Sequence, residues 1–178
     1  MTKVSATTKS INDLIEVDYM AAVKDLFKAN HYYVAFGVIA SMIELMGSLY
    51  DGQPIEVDNI SRVRFETALE KGFRGFGKGY ENFIIDSKGT KPTHSLYKGL
   101  RCGMLHVMRP TNGFGLTHFA ESLREKTSHL ATDPATGLIV LICEELFEDV
   151  IEAWQVIKVD SLIKSPSDTI MTTFSIEY

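Results

Sequence analysis

Few residues in this chain have types and spacings that could do chemistry. Gly72, Gly77 and Lys78 match a phosphate-cradling P-loop as far as its lysine. That loop needs a Ser or Thr next, to reach a metal ion, and Gly79 stands there instead. The preceding FETALEK also reads as helix and not as strand, so the P-loop is rejected. Lys71-Gly72-Phe73 echoes the opening of an RNP1 segment, but the following residues lack its aromatic spacing and no four-stranded sheet is available. A weaker pattern survives: Lys71, Arg74 and Lys78 interleave with Phe73, Phe76 and Tyr80, a set able to hold phosphates and stack bases. A connector anchored by its aromatics explains the same residues and is the favoured reading. None of the five histidines shows HExxH or Cys-His ligand spacing, so neither a metal nor a cofactor is expected. No GxSxG elbow appears, and neither Cys102 nor Cys143 has a catalytic neighbourhood.

The second constellation lies in SLYKGLRCGMLHVMRP, residues 95–110. Arg101 and His106 are five apart. On an ideal α-helix that is about 140° of rotation and about 7.5 Å of rise, so the two do not stack on one face. A long Arg side chain can still swing toward the His. His106 falls in the last turn, where the helix terminus favours an imidazolium and burial opposes it. Gly103 between them admits close approach of another backbone. Leu100, Cys102, Met104 and Leu105 predict a largely buried helix. A third residue belongs with these. HYYVAFGVIASMIELMGSLY, residues 31–50, is apolar on every face and carries one carboxylate, Glu44. A buried carboxylate without a partner is costly, and Arg101 is the predicted partner. Two readings follow. In one, Glu44 and Arg101 form a closed structural pair and His106 caps carbonyls. In the other, Glu44 orients an Arg101 that faces a cleft beside His106, with Tyr97 as a further supporting residue.

Arg-x4-His on a late helix, with IELMG on the apolar helix and LYKGLRCGMLH after it, resembles the HEPN superfamily (higher-eukaryote and prokaryote nucleotide-binding domains). Within it, the likeness is to a group of bacterial helical proteins, over about residues 30–110. The resemblance implies an RNA or nucleotide partner, a homodimer and metal-independent RNA cleavage. His106 would then be the acid/base that helps a ribose 2′-hydroxyl attack the adjacent phosphate, and Arg101 would neutralise the developing charge. Cys102 stands where catalytic members usually carry a polar residue. The alternative is a non-catalytic bundle acting as an interaction or assembly module, and a weaker third reading is a small-ligand binder in the bundle core.

The elements that must position these residues are mostly helical. The spacing predicts helices over 11–29, capped by Ser10 with Asp13 in the first turn, over 31–50, and over 59–71 behind Asp58. A further helix has Pro92 in its first turn and ends near Met108, and a short one covers 116–129. The last carries the stripe Ile139, Ile142, Cys143, Leu146, Phe147, Val150, Trp154 and Ile157. Residues 1–9 read as a frayed tail, 53–57 as a short extended piece and DSKGT, 86–90, as a turn. Residues 165–178 read as a peripheral strand whose partner is 53–57 or a second subunit. The expectation is one all-α domain over 1–178, an antiparallel bundle of five or six helices with one or two short peripheral strands. A core position for 31–50 is favoured over a membrane span, because a lone acid is expensive in lipid and the neighbouring helices are amphipathic. A net charge of −5 argues against broad, non-specific nucleic-acid binding. Two cysteines in apolar patterns and a polar N-terminus suggest reduced thiols and a cytoplasmic protein.

Overall fold

The chain's first described segment is a strand, not a tail. The computed structural model describes residues 3–55, 57–85, 89–160 and 170–177, with the backbone alone for 3–7 and 170–177. The strand β1, Lys3–Ser10, pairs antiparallel with the C-terminal strand β4, Ile170–Glu177, from Lys3↔Glu177 to Ser10↔Ile170. The C-terminal alternation thus finds its partner at the other end of the chain, and not at 53–57. Val4, Thr7 and Thr8 supply the β-branched residues that favour this state. The predicted strand's residues 165–169 and the predicted turn's residues 86–88 lie outside the described residues.

Helix α1, residues 11–28, is built from Ile11–Asp13, a π-helical stretch Leu14–Tyr19 and Met20–Lys28. Ser10 caps it as predicted, its side chain accepting from the Asp13 N–H at 3.1 Å. Helix α2, Tyr32–Gly47, is the centre of the molecule and packs on α1 and on three later helices. Its Phe36, Ile39, Met42, Ile43 and Met46 are fully buried. No helix among the described residues is long and apolar enough to cross a membrane.

Helix α3, residues 61–73, joins Ser61–Ala68 to a π-type turn, Leu69–Phe73. Ile60, not Asp58, stands at its N-cap. In the predicted extended piece, Val57 N–H instead donates to Pro54 O, and the buried Arg64 pairs with Asp51 and donates to the Ile55 and Pro54 carbonyls at 2.6 and 2.7 Å. Helices α2 and α3 touch through backbone: a Cβ on Gly47 would lie 1.8 Å from the Arg64 carbonyl oxygen. Gly47→Ala is therefore expected to cost about 2 kcal/mol, read as a lowered urea midpoint at unchanged m-value. An unchanged midpoint would show that the two helices can part freely.

Helix α4, Tyr97–Val107, is π-helical throughout and begins well after Pro92. The chain then forms strand β2, Phe114–Thr117, and the short helix α5, Phe119–Glu125, inside the predicted 116–129. Strand β3, Ile139–Ile142, runs parallel to β2, and helix α6 spans Cys143–Ile157. Ile139 and Ile142 thus belong to a strand and not to the last helix. All four β3 side chains are buried, and the strand's N–H groups reach Gly113 and Ala131 carbonyls on its two sides. The protein is mostly helical, with the six helices named above, the short 3₁₀ turns Arg74–Phe76 and Tyr80–Phe83, and two two-stranded sheets among the described residues.

Candidate functional site

The winding of α4 decides what its side chains can meet. A π-helix bonds residue i to i+5, so residues five apart come to one face. That is the separation of Arg101 and His106, which an ideal α-helix would set 140° apart. Arg101 Nη1 lies 3.4 Å from His106 Nε2 and can donate to it when the ring is neutral. Tyr97 and Cys102 share the same register, and burial together with a bond to Cys102 pushes the Tyr97 hydroxyl up.

Arg101 is held from four sides. Its Nε donates to Glu44 Oε2 at 2.6 Å, and its Nη2 to Ser61 Oγ at 3.4 Å. Its Cζ lies 5.8 Å from the Tyr97 ring centroid, within cation–π range. The fourth contact is His106. Helices α2 and α3 each supply one of these contacts and α4 supplies two, which fixes the guanidinium's plane as well as its position. Burial works against its charge, but the Glu44 bond and field outweigh burial and hold the guanidinium above its ordinary range.

This pair is neither closed nor dry. The Arg101 and Glu44 side chains keep 17% and 19% of their exposure. Both line an open cleft of about 200 Å³, together with Tyr19, Ser41, Arg64 and Leu105. His106 is exposed and sits beside Arg101, outside the cleft lining. Gly103 does admit a backbone, that of the chain's own return: a Cβ there would meet the Arg109 carbonyl oxygen at 2.5 Å. The arrangement offers a fixed planar cation next to an accessible imidazole, which suits phosphate binding with a nearby proton acceptor.

The basic, aromatic segment over 71–80 is used differently. Phe73 and Tyr80 are buried, with ring centroids 4.8 Å apart, so they offer no stacking face. Gly77 and Gly79 take positive φ of 64° and 86°, which explains the glycine richness as turn geometry. Lys71 and Arg74 are exposed. Lys78, predicted as a phosphate contact, instead donates to Asp149 Oδ1 at 2.5 Å. The same carboxylate accepts from Tyr80 Oη at 2.6 Å, and His129 Nε2 lies 2.9 Å from that hydroxyl. His129 Nδ1 accepts the Ile142 N–H at 2.9 Å, so the neutral ring carries its proton on Nε2 and donates it to Tyr80. Burial is the main cause that lowers His129 to about 4, with Asp149 opposing and Lys78 assisting. Neither His129 nor Asp149 was legible as part of a site, because their partners are distant in sequence.

A larger cavity of about 430 Å³ opens between the start of α2 and α5, lined by His31, Tyr32, Tyr33, His118 and Glu121. Tyr32 and His118 stack there at 4.6 Å and 12°. Among the described residues no group of three or more His, Cys, Asp or Glu is placed to hold a metal ion. Both cysteines are free thiols, Cys143 buried and Cys102 half-buried. No family model, no curated protein and no solved structure matches the chain.

Proposed function

We propose that this chain is a HEPN-like RNA-interacting protein and a metal-independent endoribonuclease, acting as a homodimer whose helices form the antiparallel bundle of that superfamily. One observation carries the reading: Arg101, fixed by Glu44 at 2.6 Å, faces an open cleft with His106 Nε2 at 3.4 Å. In the reaction, the imidazole takes the proton of a ribose 2′-hydroxyl. The freed oxygen attacks the adjacent phosphorus, and the 5′-oxygen leaves with a proton returned from the imidazolium. The products are a 2′,3′-cyclic phosphate and a 5′-hydroxyl end. Arg101 stabilises the charge that grows on the phosphate oxygens, where a preorganised cation acts more strongly than on the ground state.

The test is cleavage of total RNA by the purified chain in EDTA. Wild type is expected to cleave, and His106→Ala, at an exposed position, is expected to fold normally and to lose at least a hundredfold in rate. Two equally inert, folded proteins would end the nuclease reading. A second reading, a non-catalytic assembly module, would then stand. Its support is the exposed apolar group Tyr33, Val34, Leu105, Val107 and Met108, between 43% and 65% exposed.

A further inference from the structure

The cavity of about 430 Å³ between the start of α2 and α5 is of the size that holds a small molecule. Its walls combine three aromatic side chains, Tyr32, Tyr33 and Phe36, and two imidazoles with one carboxylate, Glu121. No lysine or arginine among the described residues lines it. We infer that this cavity binds an organic ammonium ion, held by aromatic rings and the Glu121 carboxylate. The inference stands apart from the nuclease reading, because the cavity shares no lining residue with the Arg101 cleft.

Three observations carry it. The first is charge. An aromatic ring offers a cation its negative face, and the attraction strengthens as the cation leaves water. Glu121 adds a formal negative charge. Its Oε2 accepts from Thr117 Oγ1 at 3.1 Å and lies 3.9 Å from His118 Nε2. Arg124 approaches Oε1 at 3.6 Å, but its side chain is 74% exposed, and so solvated a pair yields readily to a second cation. The second is rigidity. Tyr32 and His118 stack across the cavity's two walls, tying α2 to the start of α5. The first two residues of α6 hold the same two walls. The Cys143 thiol donates to the Tyr32 carbonyl at 3.5 Å, and Glu144 Oε2 accepts the Phe119 N–H at 2.9 Å. Walls fixed in advance lose little freedom when a ligand arrives. The third is what the lining does not suit. An anion would meet a carboxylate and no lysine or arginine. A metal ion needs three or more gathered ligands, and no such group stands among the described residues. An uncharged apolar ligand would strip water from Glu121 and return nothing. An organic cation satisfies the rings and the carboxylate together.

Choline is the probe, and 3,3-dimethylbutan-1-ol is its uncharged isostere, with a carbon in place of the nitrogen. Both are titrated into the full chain and followed by heteronuclear NMR. Wild type is expected to bind choline about tenfold tighter than the isostere. Glu121→Gln keeps the side chain's shape and removes its charge. It is expected to lose about tenfold in choline affinity and to bind the isostere as wild type does. Tyr33→Leu, at a position 53% exposed, removes a ring and is expected to lose about fivefold. Tyr33→Phe keeps the ring and is expected to bind as wild type does. Circular dichroism and thermal melting establish that each variant is folded. Should Glu121→Gln misfold, the two Tyr33 variants decide. A folded wild type that does not bind choline, or binds choline and the isostere equally, overturns the inference. So does a folded Glu121→Gln or Tyr33→Leu that binds choline as wild type does. Each of these results leaves the nuclease reading standing.

Discussion

Arg101→Lys is expected to slow RNA cleavage by at least a hundredfold although it keeps the positive charge. The guanidinium spends one N–H on Glu44 and points another at His106, an arrangement that a single ammonium cannot copy. Loss of one preorganised donor at a developing anion typically costs about 10²–10³ in rate. Burial of the pair is partial, so the variant is expected to fold. Glu44→Gln separates position from charge: it should lower kcat more than it raises KM, because the Glu44 carboxylate orients Arg101. A lysine variant with wild-type kcat would show that Arg101 serves only the packing of α2 against α4.

Lowering the pH from about 7 to about 4 is expected to remove about 3 kcal/mol of stability through His129 alone. The sign follows from where the proton binds first. In the unfolded chain the imidazole titrates near 6.5, whereas burial holds it at about 4 in the folded protein. Between these values the unfolded state binds the proton and the folded state does not, so acid favours unfolding. The contribution is complete above 6.5 and is lost as pH falls toward 4. The tightness of the network explains why the folded ring refuses the proton: its Nδ1 lone pair is taken by the Ile142 N–H, and its side chain is 3% exposed. Urea denaturation of wild type and His129→Gln at pH 7 and pH 4.5 reads this directly. The variant should lack most of this component of the pH slope. Parallel slopes in the two proteins would place the acid sensitivity elsewhere.

Sequence periodicity reached the elements whose burial follows a regular spacing. Helix α2 was legible because it is apolar all round, and most of α6 because its apolar stripe is regular, although one acid of that helix, Asp149, is buried as well. Glu44 was legible as a group in need of a cation because it is the one charge in that apolar run, and the structure joins it to Arg101. Three features were hidden for physical reasons. Strand β1 has no apolar alternation, since its pairing is carried by backbone bonds to the far end of the chain. Strand β3 imitates a helical stripe, because Ile139 and Ile142 fall three apart and continue the period of α6. The winding of α4 left no mark in composition, and it changes which residues are neighbours. Lys78 misled for the opposite reason: its interleaving with aromatics looked like a surface pattern, while its counter-ion waited 71 positions away on α6.

That winding also bears on how such a pair can vary. In α4 the separation of cation and imidazole is governed by helical pitch and not by residue count alone. The same gap of four intervening residues would pull the two groups apart if the helix tightened, and a gap one residue shorter would then restore them. Gap length and pitch are therefore interchangeable ways of keeping one chemical distance. A rewound α4 with every side chain intact would hold both groups and yet have no site.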